Sequence, residues 1–221
     1  MANTLQDPRV VAALDRMYTA SAEQLAHFRS GGAQFPDLQS SRSVHERSEA
    51  ASDIYMPVTP QTGNLLYSLV RAARPTIVVE FGMSFGISAL HLAAAVRDNG
   101  VGRVVTTELS EKKIAASRAV FAETGLDDLI TIFEGDATQT LSDLAGRVDF
   151  LLLDGWKDLY LPVLRLLEPQ LAPGALIVAD NTEHQGLEPY LEHVRDPANG
   201  YVSSNFVVRG EDGIEISSRA V

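Results

Sequence analysis

From Pro57 onward, short apolar runs alternate regularly with helical segments, and this alternation leaves few folds open to the chain. The runs are rich in Val, Ile, Leu and Phe, which is typical of parallel strands buried on both faces of a sheet. They span residues 76–81, 103–107, 129–133, 148–153 and 175–179. Helical patterns lie at 64–73, 88–97 and 111–124, near Leu141, and at 161–171, where Pro173-Gly174 closes the last helix. The alternation predicts a doubly wound α/β sheet with parallel strands.

The C-terminal segment has a different pattern. Residues 205–208 and 214–217 flank the turn-forming residues Gly210, Glu211, Asp212 and Gly213. Two strands joined by such a turn predict an antiparallel hairpin at the end of the parallel sheet. The expected fold is therefore α/β, with a doubly wound, mostly parallel, seven-stranded sheet and a C-terminal antiparallel hairpin.

Residues 1–55 differ from residues 56–221 and are expected to form an N-terminal helical extension. Asp7 and Pro8 suit the start of a helix, and Gly31-Gly32 suits its end. Between them, apolar residues recur at helical spacing and form one stripe, which could pack on its own domain or on a partner chain. The polar stretch that follows is expected to be a loop with one short helical turn, serving as a lid or as an oligomer contact.

The composition excludes several classes of protein. The chain has 221 residues, with 18 Lys and Arg against 29 Asp and Glu, a formal net charge of −11 and no cysteine. Disulfides, thiol catalysis and cysteine-based metal sites are therefore excluded. An acidic chain with scattered basic residues is unsuited to bind nucleic acid or an anionic membrane. Since no apolar run approaches a membrane span and the N-terminus lacks the layout of a secretion signal, we expect a soluble cytoplasmic protein.

Ligands of open α/β sheets bind at the carboxyl ends of the strands, so the residues there are candidates for function. Gly82 and Gly86 could let the backbone approach a ligand closely, or form a plain tight turn. Their G-x-x-x-G spacing differs from the G-x-G-x-x-G of a dinucleotide site, and Glu80, two residues before Gly82, would repel a phosphate. Glu108, after the second strand, could accept hydrogen bonds from both hydroxyls of a ribose, or be a solvated acid in a turn. Asp136, after the third strand, could bind an exocyclic amine such as that of adenine, or cap the next helix.

The ends of the fourth and fifth strands predict a metal site. Asp154, Asp180 and Asn181 would bring three oxygen donors to one point, which suits Mg²⁺ or Ca²⁺, although each could instead cap a helix. We favour the metal site because three such donors rarely converge by chance. Close to them, Lys157 is expected to have its pKa lowered toward that of a general base. Trp156, the only tryptophan, could stack on adenine, line the substrate pocket or lie in the core.

Taken in order, these motifs resemble those of the metal-dependent class I S-adenosylmethionine O-methyltransferases, the family of catechol and caffeoyl-CoA O-methyltransferases. The resemblance runs from about Tyr55 to the C-terminus, through MPV, VVEFGMSFGISAL, TTELS, EGDA, LLLDGWKDLYLP, VADNT and the terminal hairpin. It implies a Rossmann-like methyltransferase fold for residues 56–221, with S-adenosylmethionine as cofactor. Because many bacterial relatives are dimers, it also implies a homodimer.

The resemblance assigns roles to individual residues. The cofactor-binding residues that it implies are Met56, Val58, Glu80, Gly82, Ser88, Glu108, Asp136, Ala137, Asp154 and Trp156. Glu80 and Ser88 would hold the amino and carboxylate ends of the methionine moiety, and Glu108 would bind the ribose. Lys157 would be the general base. The ligands of Mg²⁺, or of another divalent cation, would be Asp154, Asp180 and Asn181. The acceptor would be a small aromatic molecule with two vicinal hydroxyls.

The chain departs from this family at two positions, and other functions stay open. Phe206 stands where animal catechol enzymes carry an acid that orients the second hydroxyl, and Gly155 replaces a bulkier residue beside the adenine. One alternative is a metal-independent N- or O-methyltransferase on the same fold. Others are a dinucleotide-binding oxidoreductase, which the missing G-x-G-x-x-G disfavours, and a binding module without activity.

Overall fold

Within the residues that the computed structural model describes, 3–39, 42–209 and 212–220, seven strands form one mixed sheet. They are β1 (Ile77–Phe81), β2 (Arg103–Glu108), β3 (Ile130–Glu134), β4 (Val148–Leu153), β5 (Leu171–Asp180), β6 (Tyr201–Arg209) and β7 (Asp212–Arg219). Their order in the sheet is β3-β2-β1-β4-β5-β7-β6. Strands β1 to β5 are parallel, and β7 is antiparallel to both β5 and β6. The predicted doubly wound sheet with a terminal hairpin is confirmed.

Helices cover both faces of this sheet. They are α1 (Pro8–Arg29), α2 (Val44–Ala50), α3 (Pro60–Ala73), α4 (Ile87–Asn99), α5 (Glu111–Thr124), α6 (Ala137–Thr140), α7 (Tyr160–Leu167) and α8 (Glu188–Arg195). One core joins the sheet to α1, α3, α4 and α5 and contains Val78 and Phe150. The other joins it to α6, α7 and α8 and contains Val79 and Leu151. Successive strand residues enter opposite cores because their side chains alternate between the two faces.

The candidate site is positioned by the reversal of the strand order beside β1. Strand β1 lies between β2 and β4, so the chain first extends the sheet on one side of β1 and later returns to the other side. At the carboxyl edge of the sheet, the connection after β1 therefore leads toward β2 on one side, and the connection after β4 leads toward β5 on the other side. Doubly wound sheets bind their ligands in the crevice at such a point.

Helix α7 ends earlier than its apolar pattern predicts, so the expected helix over 161–171 is wrong at its C-terminal end. A 3₁₀ turn, Glu168–Gln170, follows α7, and β5 already begins at Leu171. Leu171 pairs with Val148 of β4, and a shift of register lets the strand continue through Pro173-Gly174. This boundary is set by pairing with a distant strand, which a local pattern does not report. The same holds for α8, which the sequence patterns do not predict.

The terminal hairpin is longer than the sequence predicts. Strands β6 and β7 pair from Tyr201 opposite Arg219 to Arg209 opposite Asp212, with an irregularity near the turn. Gly210 and Glu211 of the predicted turn lie outside the described residues.

Helix α1 begins as predicted, with Asp7 as its N-cap; the Asp7 side chain accepts a hydrogen bond from the Arg9 backbone N (2.9 Å). The buried residues of its apolar stripe are Val10, Ala13, Leu14 and Met17. This part of the stripe thus packs on its own domain. Helix α2 forms where a short helical turn is predicted, and a capping box between Ser43 and Glu46 begins it. Over the described residues, every helix is too short or too polar to traverse a bilayer.

Candidate active site

A cleft of about 1350 Å³ lies at the carboxyl edge of the sheet. The ends of β2, β4 and β5 contribute Glu108, Asp154 and Asp180 to its lining. Residues from α1, α2 and the segment between them, including Phe28 and Arg47, contribute further lining. The crevice at the switch point is thus one large cavity, to which both predicted parts of the chain contribute.

The loops after β1 and β4 touch each other on the side of the cleft, and two glycines permit this. Asp154 N donates a hydrogen bond to the Phe81 carbonyl (2.9 Å). A Cβ at Gly82, which has φ +99°, would lie 2.6 Å from the Gly155 backbone, and one at Gly155 would lie 2.5 Å from the Phe81 ring. Side chains at these two positions would separate the loops. A side chain at Gly155 would therefore require the Phe81 ring to move.

Glu80 is a fully buried carboxylate in the middle of the sheet. The Thr106 hydroxyl donates a hydrogen bond to Oε2, whereas Oε1 has no hydrogen-bond partner. Burial raises the pKa of Glu80 to about 7, although the neighbouring Ser88 and Thr106 side chains oppose this shift. Ser88 is also buried, and it lines a cavity of about 10 Å³ next to Gly82 and Met56. A buried acceptor without a donor is the kind of group that a ligand cation can satisfy.

Glu108 is held in place by three backbone N–H groups. Its side chain accepts hydrogen bonds from Ser84 N (2.8 Å), Leu109 N (2.8 Å) and Ser110 N (2.9 Å). These bonds fix a half-buried carboxylate at the lining of the cleft. Glu108 is therefore an ordered residue at the end of β2 rather than a freely solvated acid.

The other residues with an implied role in cofactor binding divide between the cleft and the core. Those that line the cleft are Met56, Gly82, Asp136, Ala137, Asp154 and Trp156. Asp136 is also the N-cap of α6, and its Oδ1 accepts hydrogen bonds from Thr138 N (2.9 Å) and Oγ1 (2.8 Å). Val58 belongs to the core and does not line the cleft.

Lys157 connects the ends of β4 and β5. Its ammonium donates hydrogen bonds to Asn181 Oδ1 (2.8 Å) and Tyr160 Oη (2.6 Å) and lies 3.6 Å from Asp154 Oδ1. Tyr160 Oη in turn donates to the Asp180 carbonyl (3.0 Å). Asn181 has φ +59°, a left-handed conformation that Asn tolerates better than most residues. The residues that the sequence predicts as one cluster are therefore neighbours.

The electrostatics of this cluster are dominated by buried acids. Burial raises the pKa of Asp154 well above its usual range; the nearby Lys157 opposes the shift, and the charges of Asp180 and Glu80 add to it. One ammonium thus faces several carboxylates in a site with little solvent. Such a site favours the entry of further positive charge.

Comparison with known proteins identifies the family. The sequence model of a methyltransferase domain matches residues 79–182, a range that contains the strand-end residues from Glu80 to Asn181. A Mycobacterium tuberculosis protein named as a probable O-methyltransferase is 30% identical over 200 residues, which cover 86% of this chain and 79% of that protein. The chain belongs to the S-adenosylmethionine-dependent O-methyltransferases. Catechol O-methyltransferase of Sus scrofa is 31% identical to this methyltransferase over 147 residues, 63% of this chain and 78% of the pig enzyme.

A solved structure shows the same fold. The O-methyltransferase from Bacillus cereus, determined in complex with SAH, matches with a TM-score of 0.68 and 21% identity. The match covers 92% of the methyltransferase chain described above and 99% of the Bacillus chain. It therefore extends over most of the N-terminal extension as well as the sheet.

The cleft is also lined by residues of this methyltransferase that the sequence patterns do not single out. Arg47 is buried, pairs with Asp158 and lies against Trp156. Lys113 of α5 is buried over the Phe85 ring (5.4 Å), and burial lowers its pKa. These contacts join residues that are far apart in the chain, so the spacing of residues within a short segment does not predict them. For Arg47, the available signal is the expectation that the stretch after α1 serves as a lid or an oligomer contact, which does not point to an individual residue.

Proposed function

We propose that this methyltransferase transfers the methyl group of S-adenosylmethionine to one hydroxyl of a small aromatic vicinal diol. Lys157 is the general base, and Asp154, Asp180 and Asn181 are the ligands of Mg²⁺ or another divalent cation. The observation that carries the proposal is the position of Lys157, whose ammonium lies 2.8 Å from Asn181 Oδ1 and 3.6 Å from Asp154 Oδ1 in the cleft. The proposed general base and two of the proposed oxygen ligands thus lie next to each other in the cleft.

The donor set fits a divalent cation. Two carboxylates and an amide oxygen from adjacent strand ends are ligands that Mg²⁺ prefers, with water or acceptor oxygens completing the shell. The raised pKa of Asp154 reflects buried negative charge that a cation would compensate. Within the described ranges no group of three His, Cys, Asp or Glu side chains suits a metal, so the proposed site depends on the amide of Asn181 as its third protein ligand.

The reaction uses the residues of the chain as follows. A divalent cation held by Asp154, Asp180 and Asn181 would act as a Lewis acid and would lower the pKa of the hydroxyl to be methylated. Lys157, in its neutral form, takes that proton on Nζ. The acceptor oxygen then forms a bond to the methyl carbon while the carbon–sulfur bond breaks, which leaves S-adenosylhomocysteine and a methyl ether. The proton passes from Lys157 to solvent at the open side of the cleft.

The cofactor is held by side chains in and after strands β1 to β4. Glu80, with Oε1 unpartnered, accepts the ammonium of the methionine moiety, and Ser88 binds its carboxylate. Glu108 accepts the ribose hydroxyls, for which its three backbone donors pre-orient it. Asp136 and Trp156 contact the adenine. The support for these roles is that the side chains line one cleft or lie buried beside it.

The test is methyl transfer from labelled S-adenosylmethionine to a panel of catechols, with Mg²⁺, with EDTA, and with Mg²⁺ restored after EDTA. We expect transfer that EDTA abolishes and Mg²⁺ restores. Asp180→Asn should lose most of this response, whereas Asp143→Asn, the same change at an exposed residue, should behave like the unmodified protein. Calorimetric titration with Mg²⁺ measures the site without an acceptor.

The outcomes separate the competing functions. Transfer that ignores EDTA would retain the methyltransferase and remove the metal, which leaves the metal-independent N- or O-methyltransferase. Binding of S-adenosylhomocysteine without transfer to any vicinal diol would contradict the proposed acceptor class.

A further inference from the structure

Arg47 of α2 is a buried arginine that joins the N-terminal extension to the loop after β4. It is 3% exposed. Its two terminal nitrogens donate to the two carboxylate oxygens of Asp158, Nη1 to Oδ1 at 2.7 Å and Nη2 to Oδ2 at 3.0 Å. The two residues are 111 positions apart in the chain. A bidentate pair of this kind fixes orientation as well as distance.

The same guanidinium also contacts the only tryptophan. Its carbon Cζ lies 4.8 Å from the centroid of the Trp156 ring, within the range of a cation–π interaction. Arg47 therefore contacts the residue before Lys157 and the residue after it. Trp156 precedes a single 3₁₀ turn, Lys157–Leu159, and makes no side-chain capping bond to it. This single turn continues directly into α7 at Tyr160, so Trp156 and Lys157 lie at the start of the helical segment, with no helical turn before them.

We propose that Arg47 is a positioning residue, which fixes the loop of residues 156–158 and thereby the ammonium of Lys157. The proposal rests on the function proposed above, in which Lys157 is the general base. It gives the N-terminal extension a defined part in the reaction, since Arg47 belongs to α2 and lines the cleft. Displacing a base by about 1 Å can cost about a hundredfold in rate, so a contact on each side of Lys157 is enough to matter.

A second bidentate ion pair of the extension provides a control. Arg16 of α1 makes a bidentate pair with Glu123 of α5, with distances of 3.0 and 2.7 Å. This pair also joins the extension to the rest of the chain, but neither residue lines the cleft. Arg16→Met thus removes a bidentate bond of the extension without touching the loop, but this pair lies at the surface, with side chains 52% and 44% exposed, so the variant controls for the loss of such a bond and not for the loss of a buried arginine.

The experiment compares Arg47→Met with Arg16→Met by four measurements: steady-state kinetics, binding of S-adenosylhomocysteine, Trp156 emission and hydrogen exchange, all below the melting temperature of both variants. Methionine keeps an apolar chain against Trp156, and the Asp158 side chain, 34% exposed, can be solvated. For Arg47→Met we expect kcat to fall about tenfold to a hundredfold, while the acceptor KM and the Kd for S-adenosylhomocysteine stay within about threefold. We also expect a shift in Trp156 emission and faster hydrogen exchange of residues 154–159. Arg16→Met should show none of these changes.

Two further variants keep the proposal refutable if Arg47→Met is unstable. Arg47→Lys retains the charge but not the bidentate fork, so kcat should remain low. Asp158→Asn removes the other partner, and combining it with Arg47→Met should lower kcat no further, because both act through one contact. A normal kcat in Arg47→Met, or unchanged exchange of residues 154–159, would overturn the proposal.

Failure of the proposed function can be distinguished from failure of the role proposed for Arg47. If the unmodified protein methylates no vicinal diol, the proposed function fails. The emission and exchange measurements need no acceptor, and they still decide whether Arg47 holds the loop.

Discussion

Glu80→Gln should weaken cofactor binding and stabilise the protein at alkaline pH. Glu80 is fully buried, one carboxylate oxygen has no hydrogen-bond partner, and burial raises its pKa to about 7. The substitution keeps the shape of the side chain but removes its charge. Its two effects have opposite signs, because the ionised carboxylate is costly in the empty site and is the form that would bind the methionine ammonium.

The effect on stability follows from the difference between the folded and unfolded pKa of Glu80. A carboxyl whose pKa rises from 4.5 to about 7 on folding binds its proton more tightly in the folded state. Its contribution to the free energy of unfolding is present below about pH 4.5 and is lost as the pH rises through about 7. The loss amounts to about 3 kcal/mol when Glu80 is fully ionised. Glu80→Gln should escape this loss and should therefore gain stability over the unmodified protein between about pH 5 and pH 8.

The effect on binding runs the other way. If the cofactor binds only the ionised form, the Kd for S-adenosylhomocysteine should be about tenfold higher at pH 6 than at pH 8 in the unmodified protein. In Glu80→Gln the Kd should be high at both values and nearly independent of pH.

Isothermal titration with S-adenosylhomocysteine and urea unfolding, each at several pH values, measure the two effects on the same protein samples. An equal Kd at pH 6 and pH 8 in the unmodified protein would refute the placement of the ammonium at Glu80. Equal pH dependence of unfolding in both proteins would refute the assignment of the raised pKa.

Three further predictions concern the rest of the cleft. Glu108→Ala should weaken S-adenosylhomocysteine binding by ~1.5–3 kcal/mol, the scale of hydrogen bonds to a charged group, and an unchanged Kd in calorimetry would remove Glu108 from the ribose site. Lys157→Met should lower turnover by about a hundredfold or more, with S-adenosylhomocysteine affinity nearly intact; normal turnover in a labelled-methyl assay would exclude Lys157 as the base. Gly82→Ala should lower the free energy of unfolding by at least ~1–3 kcal/mol and weaken cofactor binding, because its Cβ would lie 2.6 Å from the Gly155 backbone; a normal urea midpoint would contradict the close approach of the two loops.

Much of the sheet is predictable because its strands are short, apolar and buried on both faces. Strand β4 has the predicted bounds, and every residue of its VDFLLL run except Asp149 is buried, as expected of a strand covered on both faces. The grouping of Lys157 with Asn181 is predictable for a related reason. Parallel strands place their carboxyl ends at one edge, so residues that follow adjacent strands become neighbours whatever lies between them.

Other features depend on contacts between distant parts of the chain, which no local pattern encodes. The start of β5 at Leu171 is set by pairing with Val148. The raised pKa of Glu80 arises from its complete burial, whereas the neighbouring sequence indicates only a strand followed by a loop. Arg47 belongs to a stretch whose sequence predicts a polar loop. It is nevertheless buried, because folding brings it into contact with Asp158 and Trp156, which lie 111 and 109 positions further along the chain (158 − 47 and 156 − 47). Charge, solvation and orientation are properties of neighbours in space, and only folding brings those neighbours together.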